Sequence, residues 1–365
     1  MRFSELFNDD RSVNWKKVLS IKEFSNMKNV GEDGSFDFSV FDHTQKVVHE
    51  VERLLSALCV DKNSDYYLMS ISAALCHDIG KNGKVTDGGS GENGSNICRK
   101  LFYDEDALLR EKVCYMVRNH PYFQQMFYND KLVRTIIRIS YGLVTVRDMQ
   151  VLYYADQKGC QGECDTAGLS DRVDRLIKMA TDIKCYSKPY SFDHTSQKNE
   201  FFYQIPDKTY KKGKRFTVYF MVGLPGAGKD TYISKKFHGI PTVCRDDIRT
   251  EIGIKGAKPQ GNKKEEDMVT KIVNERIIDF CEKRTTFVIN NTNLKREYRD
   301  TFEKMVLPYK PRIVFVYVEA PSVADNKNRR SGQIQPSVID RMARNFDFPE
   351  PYEYDEIRYD LQEAE

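Results

Sequence analysis

The stretch that decides the fold of the second half of the chain is an apolar run that leads into a glycine-rich loop: Phe216-Thr217-Val218-Tyr219-Phe220-Met221-Val222, then Gly223-Leu224-Pro225-Gly226-Ala227-Gly228-Lys229-Asp230-Thr231. The run predicts a buried strand, and the loop nearly fits the phosphate-binding pattern GxxxxGK[ST] where a strand passes into a helix. Glycines let backbone N–H groups point at a polyanion, and the lysine can reach the outer phosphates. The pattern predicts a nucleoside triphosphate site formed by Gly223, Gly226, Ala227, Gly228, Lys229, Asp230 and Thr231.

Length, charge and cysteine content bound the class of protein. The 365 residues suffice for two domains, and 57 basic against 54 acidic residues give a net charge of +3, which neither requires nor excludes a nucleic-acid partner. No apolar run approaches a membrane span, and residues 1–8 lack the order of a signal peptide, so a cytoplasmic protein without membrane association is predicted. The nine cysteines are expected to be reduced. Cys160 and Cys164 have no second pair to complete a zinc set, and we expect them to be structural.

The chain separates into two predicted domains and a linker. From residue 42 to about 183, apolar residues such as Val47, Val51 and Leu54 recur at spacings of three and four. This predicts an all-α N-terminal domain over residues 1–185.

The periodicity fails over 186–214, so we predict a linker there. Residues 208–215 form a basic stretch within and just after it. This stretch could contact phosphates, or it could be a solvated connector without a partner.

Residues 215–365 alternate predicted strands and helices. Strands are predicted at 216–222, 241–245, 286–290 and Arg312–Glu319, with a helix at 263–284. Such alternation predicts an α/β domain with a parallel sheet covered on both faces. The acidic, tyrosine-rich residues 349–365 fit either a tail or a closing strap.

Charged and polar residues follow these strands at the edge where open α/β sheets bind ligands. Asp246 could orient a phosphoryl acceptor hydroxyl and receive its proton, while Arg249 could grip an acceptor phosphate; a helix N-cap with surface arginines is the alternative. The strand 286–290 ends in the polar residues 290–293. Residues 325–336, which include Arg330, form a cationic segment before a predicted helix at 337–346 and fit a lid that neutralises transition-state charge.

Together these residues resemble the kinase domain of the 5′-OH polynucleotide kinases over about residues 215–349. The resemblance implies ATP with Mg²⁺ as the phosphoryl donor and Lys229 on its phosphates. It further implies Asp246 as the general base, Arg249 as the acceptor-phosphate clamp and Arg330 as the lid arginine.

Two positions depart from that family. Asp230 stands where a Ser or Thr usually ligates Mg²⁺, with Thr231 next, and Asn291 stands where many relatives have an Asp. Two readings are open. Asp230 could help to hold the Mg²⁺ of the nucleotide and partly replace the charge absent at Asn291, or it could point outward as a first-turn helix acid while Thr231 or solvent completes the metal shell.

A second set of residues lies in the helical half. His43 opens a predicted helix, the pair His77 and Asp78 ends another, and Asp156 lies further on. Two imidazoles and two carboxylates can surround a divalent transition metal and leave positions for water and phosphate. Their order resembles the HD phosphohydrolase superfamily over about residues 40–185. The resemblance adds His120 as a possible ligand, whereas Gly91-Glu92-Asn93 stands where several relatives have His-Glu.

An HD module before a polynucleotide-kinase-like module resembles the bacterial HD-Pnk end-healing enzymes over almost the whole chain. That resemblance implies a bifunctional enzyme that phosphorylates 5′-OH ends of RNA or DNA. Its HD module would remove phosphate from 2′, 3′ or 2′,3′-cyclic phosphate ends, leaving products for a polynucleotide ligase. Two alternatives are open: a small-molecule or nucleoside kinase fused to a nucleotide phosphohydrolase, and a regulatory HD protein that binds a nucleotide.

Overall fold

A computed structural model describes residues 1–31, 39–81, 90–125, 132–160, 168–206, 209–254 and 263–361. The chain divides into two compact units, Met1–Ser191 and Phe192–Glu365. Cys164, residues 207–208 of the predicted linker and residues 362–365 of the acidic end lie outside the described residues.

The first unit is helical, as the sequence predicts. Its α-helices are α1 (Trp15–Ser20), α2 (Lys22–Asn26), α3 (Val40–Ala57), α4 (Asp65–Cys76), α5 (Ser90–Leu101), α6 (Ala107–Gln125), α7 (Leu132–Ser140), α8 (Val146–Gly159) and α9 (Leu169–Asp182), with 3-10 helices at Phe3–Leu6 and Met27–Asn29. Side chains such as Phe41, Leu55 and Ile71 are almost fully buried in its core. Helices α3, α4, α6 and α8 pack against one another, and this packing positions the histidines.

The second unit contains a parallel sheet flanked by helices. Its elements are α10 (Thr195–Tyr203), β1 (Thr217–Val222), α11 (Lys229–Lys236), β2 (Thr242–Val243), α12 (Arg245–Glu251), α13 (Lys263–Glu282), β3 (Phe287–Ile289), α14 (Arg296–Val306), β4 (Arg312–Glu319), α15 (Val323–Arg329), α16 (Pro336–Arg344) and β5 (Glu356–Leu361), with a 3-10 helix at Leu307–Tyr309. The strand order is β2-β3-β1-β4-β5, and all neighbouring pairs are parallel. The predicted parallel α/β architecture is confirmed.

The apolar sequences of β1 and β4 explain why these strands lie in the centre of the sheet. Residues Ile313–Glu319 of β4 are all buried, and β1 buries Phe220, Met221 and Val222. A strand that is apolar on both faces is stable only where helices cover both sides of the sheet. The carboxyl ends of β1, β2 and β3 consequently meet at one edge, and the phosphate loop follows β1 there.

Two segments differ from the sequence prediction, and a third gains a defined structure. Residues 195–203 of the predicted linker form α10, which belongs to the second unit because Phe202 stacks on Tyr352 with ring centroids 4.2 Å apart. Part of the acidic end is neither a free tail nor a strap, because Glu356–Leu361 forms the edge strand β5 beside β4. Within the predicted lid segment, Val323–Arg329 forms α15, with Ser322 as its N-cap.

A buried ion network ties the C-terminal segment to α14. Arg299 is fully buried and donates to Glu353 through Nε (2.7 Å) and Nη2 (3.1 Å). Arg296 contacts both Glu353 (2.6 Å) and Glu303 (3.0 Å). Burial, aided by the nearby Glu353 carboxylate, raises the pKa of Glu303 to about 8. Buried charges persist only when paired, so these residues fix residues 347–353 against the domain.

No helix within the described ranges combines the length and the apolar character needed to cross a bilayer.

Candidate functional sites

The histidines and aspartates of the helical unit converge on one point. His43 Nε2 lies 3.1 Å from His77 Nε2 and 2.9 Å from Asp156 Oδ1, and one ligand atom from each of the three lies within 4.8 Å of the others. All three side chains are buried. Ser39 caps α3 by accepting from the backbone N–H of Asp42 (3.2 Å), which sets the start of the helix that carries His43.

Asp78 and His120 complete the surroundings of this cluster. Asp78 Oδ2 lies 3.3 Å from His77 Nε2 and 2.8 Å from Lys81 Nζ, while its Oδ1 lies 3.5 Å from His120 Nε2. The structure therefore brings together all five residues that the sequence singled out. Glu92 is exposed on α5, and the nearby Asn93 donates to the carbonyl of Gly80 over 2.8 Å.

The hydrogen bonds fix which imidazole nitrogen faces the cluster. His77 Nδ1 lies 2.8 Å from the carbonyl oxygen of Ala74, and His120 Nδ1 lies 2.8 Å from that of Val117. A carbonyl can only accept, so each Nδ1 carries hydrogen and each Nε2 points at the carboxylates. Metal-binding histidines typically show this arrangement.

The electrostatics of the cluster also suit a cation. Burial alone would lower the pKa of His77, but Asp78 and Asp156 outweigh it and raise that pKa to about 10. The pKa of Asp78 stays well below its usual range despite burial, because His77 and Lys81 stabilise the carboxylate. A divalent cation would supply the positive charge that a protonated imidazole otherwise provides. His43, His77 and Asp156, with Asp78 beside them, could hold a transition metal.

The phosphate loop lies between β1 and α11 in the second unit. Gly226 adopts a left-handed φ of +80°, and a Cβ at this residue would lie 2.7 Å from the backbone oxygen of Asn326. Only glycine fits both conditions. Lys229 Nζ donates to the carbonyls of Gly223 and Leu224, each over 2.9 Å, and so closes the loop on itself.

The lid helix α15 lies on this loop. Asn326 is fully buried and donates from Nδ2 to the carbonyl of Pro225 over 3.0 Å. Arg329 Nη1 donates to the carbonyl of Gly226 over 3.3 Å. The next residue, Arg330, places Nη2 3.6 Å from Asp230 Oδ2. The predicted lid arginine thus lies beside the first turn of α11.

Asp246 and Arg249 share a network that includes a residue the sequence did not single out. Arg249 Nη1 donates to Asp246 Oδ1 over 2.5 Å, and its Nε and Nη2 donate to the two carboxylate oxygens of Glu266 at 2.9 and 3.0 Å. Arg245 also donates to Glu266 over 3.0 Å. Hydrogen bonds from Arg249 lower the pKa of Glu266 to about 2. Arg249 is only 7% exposed, whereas the Asp246 side chain is 62% exposed. This arginine therefore orients Asp246 in the structure.

The strand end after β3 approaches the loop directly. Asn290 Nδ2 donates to Asp230 Oδ1 over 2.7 Å, and Asn293 Nδ2 donates to the carbonyl of Met221 over 2.7 Å. The Asp230 side chain is nevertheless 72% exposed. Asn291 is half-buried, while Thr231 is exposed on α11.

A family model described as an AAA domain matches residues 218–349, which include the loop, Asp246 and the lid. The comparison with curated proteins gives no match. Residues 218–349 form a P-loop, kinase-like domain. The match begins within β1 and ends beyond α16, so it covers β1 to β4 and leaves out β5.

The ammonium group of Lys229 lies among charged side chains of the loop, the lid and α12. Burial, the largest effect, lowers the pKa of Lys229 to about 8. The same ammonium group interacts electrostatically with Asp230, Arg330 and Asp246. A nucleoside triphosphate with Mg²⁺ is the ligand that this domain type implies, and Lys229 with the loop N–H groups could hold its phosphates.

Sequence reasoning missed the supporting residues of this domain. In the sequence, Glu266 looks like an ordinary acidic residue in the first turn of a helix. Its partner Arg249 lies 17 residues away, so a local pattern does not predict their contact. Asn326 reads as a polar lid residue, although its amide joins the loop across 101 residues. Neither contact produces a helical or strand periodicity in the sequence. The proximity of Asn326 to the charged lid residues is the signal that could have indicated its role.

Proposed function

We propose that this chain heals nucleic-acid ends, with a 5′-OH polynucleotide kinase in its second unit and an HD-type phosphohydrolase in its first. The kinase would transfer the γ-phosphate of ATP to a 5′ hydroxyl. The phosphohydrolase would remove phosphate from 2′, 3′ or 2′,3′-cyclic phosphate ends. The products would suit a polynucleotide ligase.

The observation that carries the kinase proposal is the exposed Asp246 carboxylate, held by the buried Arg249 within electrostatic range of Lys229. An acceptor hydroxyl needs a base to take its proton as it attacks phosphorus. Asp246 is open to a large acceptor and would take that proton. Lys229 would neutralise charge on the phosphates, and Arg330 would add positive charge as the lid closes.

The departure at Asp230 is compatible with this chemistry. Its carboxylate follows the loop lysine and is fixed by Asn290. Magnesium bound with the nucleotide would neutralise the triphosphate and help to orient it. Asp230 is the residue that we expect to hold this ion, because Asn290 and Arg330 place its carboxylate between the strand end and the lid.

The phosphohydrolase proposal depends on the buried cluster. His43, His77 and Asp156 offer two nitrogens and a carboxylate oxygen within 4.8 Å of one another, and Asp78 adds a second carboxylate. A bound transition metal would lower the pKa of a water molecule and so supply a hydrolytic nucleophile. Lys81, whose Nζ lies 2.8 Å from Asp78, could contact a substrate phosphate.

An acceptor panel tests the kinase proposal. Purified protein is given ATP, Mg²⁺ and, separately, a 5′-OH oligonucleotide, a nucleoside and a sugar. We expect kcat/KM for the oligonucleotide to exceed the other two by about 100-fold or more. A preference for the nucleoside or the sugar would assign the domain to small-molecule kinases instead.

A further inference from the structure

Three chain segments form a basic surface at the amino ends of the central strands. Residues 209–215 lead into β1, residues 282–284 precede β3, and residues 308–312 lead into β4. Lys211 N–H donates to the carbonyl of Pro308 over 2.7 Å, which joins the first segment to the third. We call these three segments the basic edge.

Arg284 holds the basic edge together. Its Nη2 donates to the carbonyls of Lys211 (3.0 Å) and Lys212 (2.7 Å), and its Nη1 donates to the carbonyl of Tyr309. A Cβ at Gly213 would lie 2.5 Å from Arg284 Nε, so the guanidinium packs directly on the backbone. The segment that the sequence predicted as a linker is therefore fixed to the kinase-like domain from Lys211 onward.

The basic edge concentrates positive charge in a chain that is nearly neutral overall. Its cationic residues are Lys211, Lys212, Lys214, Arg215, Lys283, Arg284, Lys310 and Arg312, and Glu282 is the acidic residue among the described residues of its three segments. Lys211 and Glu282 are 3.8 Å apart and more than half exposed, so solvent screens that pair strongly. Asp279 and Glu356 contact Lys283 and Arg312 from outside the segments. Even so, cations outnumber their acidic neighbours.

The aromatic residues of the basic edge face inward. Tyr309 and the adjoining Phe216 are buried, and Lys310 Nζ lies 4.9 Å above the half-buried ring of Tyr210. Membrane-binding surfaces combine cations with exposed apolar side chains, and such side chains do not accompany the lysines in the described part of this surface. The chemistry fits a hydrated polyanion.

The basic edge is separate from the phosphoryl-transfer site. The phosphate loop follows the carboxyl end of β1, whereas residues 209–215 precede its amino end. Six residues of parallel strand cover about 20 Å. The nucleotide and the reacting hydroxyl belong at the carboxyl edge of such a sheet, so the basic edge lies outside the phosphoryl-transfer site.

We propose that the basic edge binds the sugar–phosphate backbone of the acceptor strand, several nucleotides away from the 5′ end that is phosphorylated. This proposal rests on the proposed function, because it assumes a polynucleotide acceptor. Exposed cations without a shaped pocket bind phosphates through charge, with little dependence on base sequence. A helical strand advances about 3.4 Å per nucleotide, so a dinucleotide held at the active site cannot span the distance.

The test compares two full-length triple variants with equal loss of charge. Lys212→Gln, Lys214→Gln and Arg215→Gln change exposed residues of the basic edge, whereas Lys16→Gln, Lys17→Gln and Lys22→Gln change exposed residues of the first unit. Binding of a single-stranded 5′-OH oligonucleotide of about 20 nucleotides, labelled at its 3′ end, is followed by fluorescence anisotropy across a salt series. Thermal unfolding checks that each variant is folded.

For a single strand, each lost phosphate contact reduces the slope of log K against log salt by about 0.7, so the basic-edge variant should lose about two units of slope and bind about tenfold more weakly. The ratio of kcat/KM for the long oligonucleotide to that for a dinucleotide should fall similarly. The first-unit variant should match wild type. An unchanged slope in the basic-edge variant, with wild type still phosphorylating the oligonucleotide, would overturn this proposal alone. Failure of wild type both to bind and to phosphorylate it would overturn the polynucleotide function as well.

Discussion

Asn290 donates a hydrogen bond from Nδ2 to Asp230 Oδ1 over 2.7 Å, and this bond joins the carboxyl end of β3 to the first turn of α11. The other carboxylate oxygen of Asp230 lies 3.6 Å from Arg330 Nη2 in the lid. One carboxylate is thus placed between the strand end, the lid and the phosphate loop. A negative charge beside a triphosphate is repulsive unless a cation lies between them.

The first prediction concerns Asp230→Asn. Removing the carboxylate should strengthen binding of metal-free ATP and weaken binding of Mg²⁺·ATP, because repulsion and metal ligation are lost together. The dissociation constants of metal-free ATP and of Mg²⁺·ATP are measured by calorimetry, with EDTA and with Mg²⁺ respectively. We expect the constant for metal-free ATP divided by the constant for Mg²⁺·ATP to fall by about tenfold or more. Adding Asn291→Asp should restore part of it, and Thr231→Val should leave it unchanged. A shift of both constants in the same direction would mean that Asp230 acts only through Arg330.

The second prediction follows from Lys229, whose pKa burial lowers to about 8. Bound phosphates raise that pKa, so ATP binding takes up a proton when the pH exceeds about 8. The affinity should be constant below about pH 7 and fall by up to about tenfold per pH unit above pH 8. The Lys229→Met variant should bind ATP weakly at every pH, without this decline. The wild-type affinity should approach that of the variant as the pH rises. A flat wild-type profile through pH 9.5, roughly 1.5 units above that pKa, would refute this assignment.

The third prediction is for Glu266, which holds Arg249 by two hydrogen bonds. Glu266→Gln keeps the shape but weakens that hold, so Asp246 should be less well oriented. We expect kcat for 5′ phosphorylation to fall about tenfold while the affinity for ATP changes little. Asp267→Asn, an exposed acid one residue further on, is the matched control. Equal losses in both variants would remove Glu266 from any positioning role.

The fourth prediction concerns stability. Burial and Glu353 raise the pKa of Glu303 to about 8, so the stability linked to its protonated form is present below its ordinary pKa and is lost as the pH rises through 8. Glu303→Gln should remove this dependence and melt about 5 °C higher than wild type at about pH 9, with a smaller difference at about pH 6. Asp300→Asn, which alters the neighbouring partner of Arg296, should follow wild type. If the melting temperature of Glu303→Gln fell with rising pH as steeply as that of wild type, Glu303 would not be the group responsible.

Local sequence patterns predicted the parts of the fold that depend on local physics. The apolar runs at 216–222 and 312–319 predicted β1 and β4, because a doubly covered strand is apolar on both faces. Strand β5 was missed, since Glu356, Arg358 and Asp360 alternate with apolar residues at an edge and read as an acidic end. Helix α10 was missed because its burial depends on Tyr352, which is distant in sequence.

The same distinction between local motifs and long-range contacts applies to the residues of the candidate sites. Lys229, Asp246 and Arg330 occur in short motifs with a chemical rationale, and the structure places them in one electrostatic neighbourhood. The five residues of the histidine cluster also meet in space. The contacts of Glu266 and Asn326 depend on long-range packing, which a single sequence does not encode in any local pattern.

We propose that one chain carries two separable sites for the two ends of a broken strand. One oligonucleotide tests it, with a 5′ hydroxyl and a 2′,3′-cyclic phosphate, incubated with ATP, Mg²⁺ and a transition metal; mass spectrometry then identifies both product ends. Wild type should convert both ends. Lys229→Ala or Asp246→Ala should slow 5′ phosphorylation by about 10²–10⁴-fold and spare the other end. His77→Ala or Asp78→Ala should lose bound metal and 3′-end hydrolysis while 5′ phosphorylation persists. A wild-type protein that transfers no phosphate to the 5′ end, or a folded variant that loses both activities together, would contradict the claim.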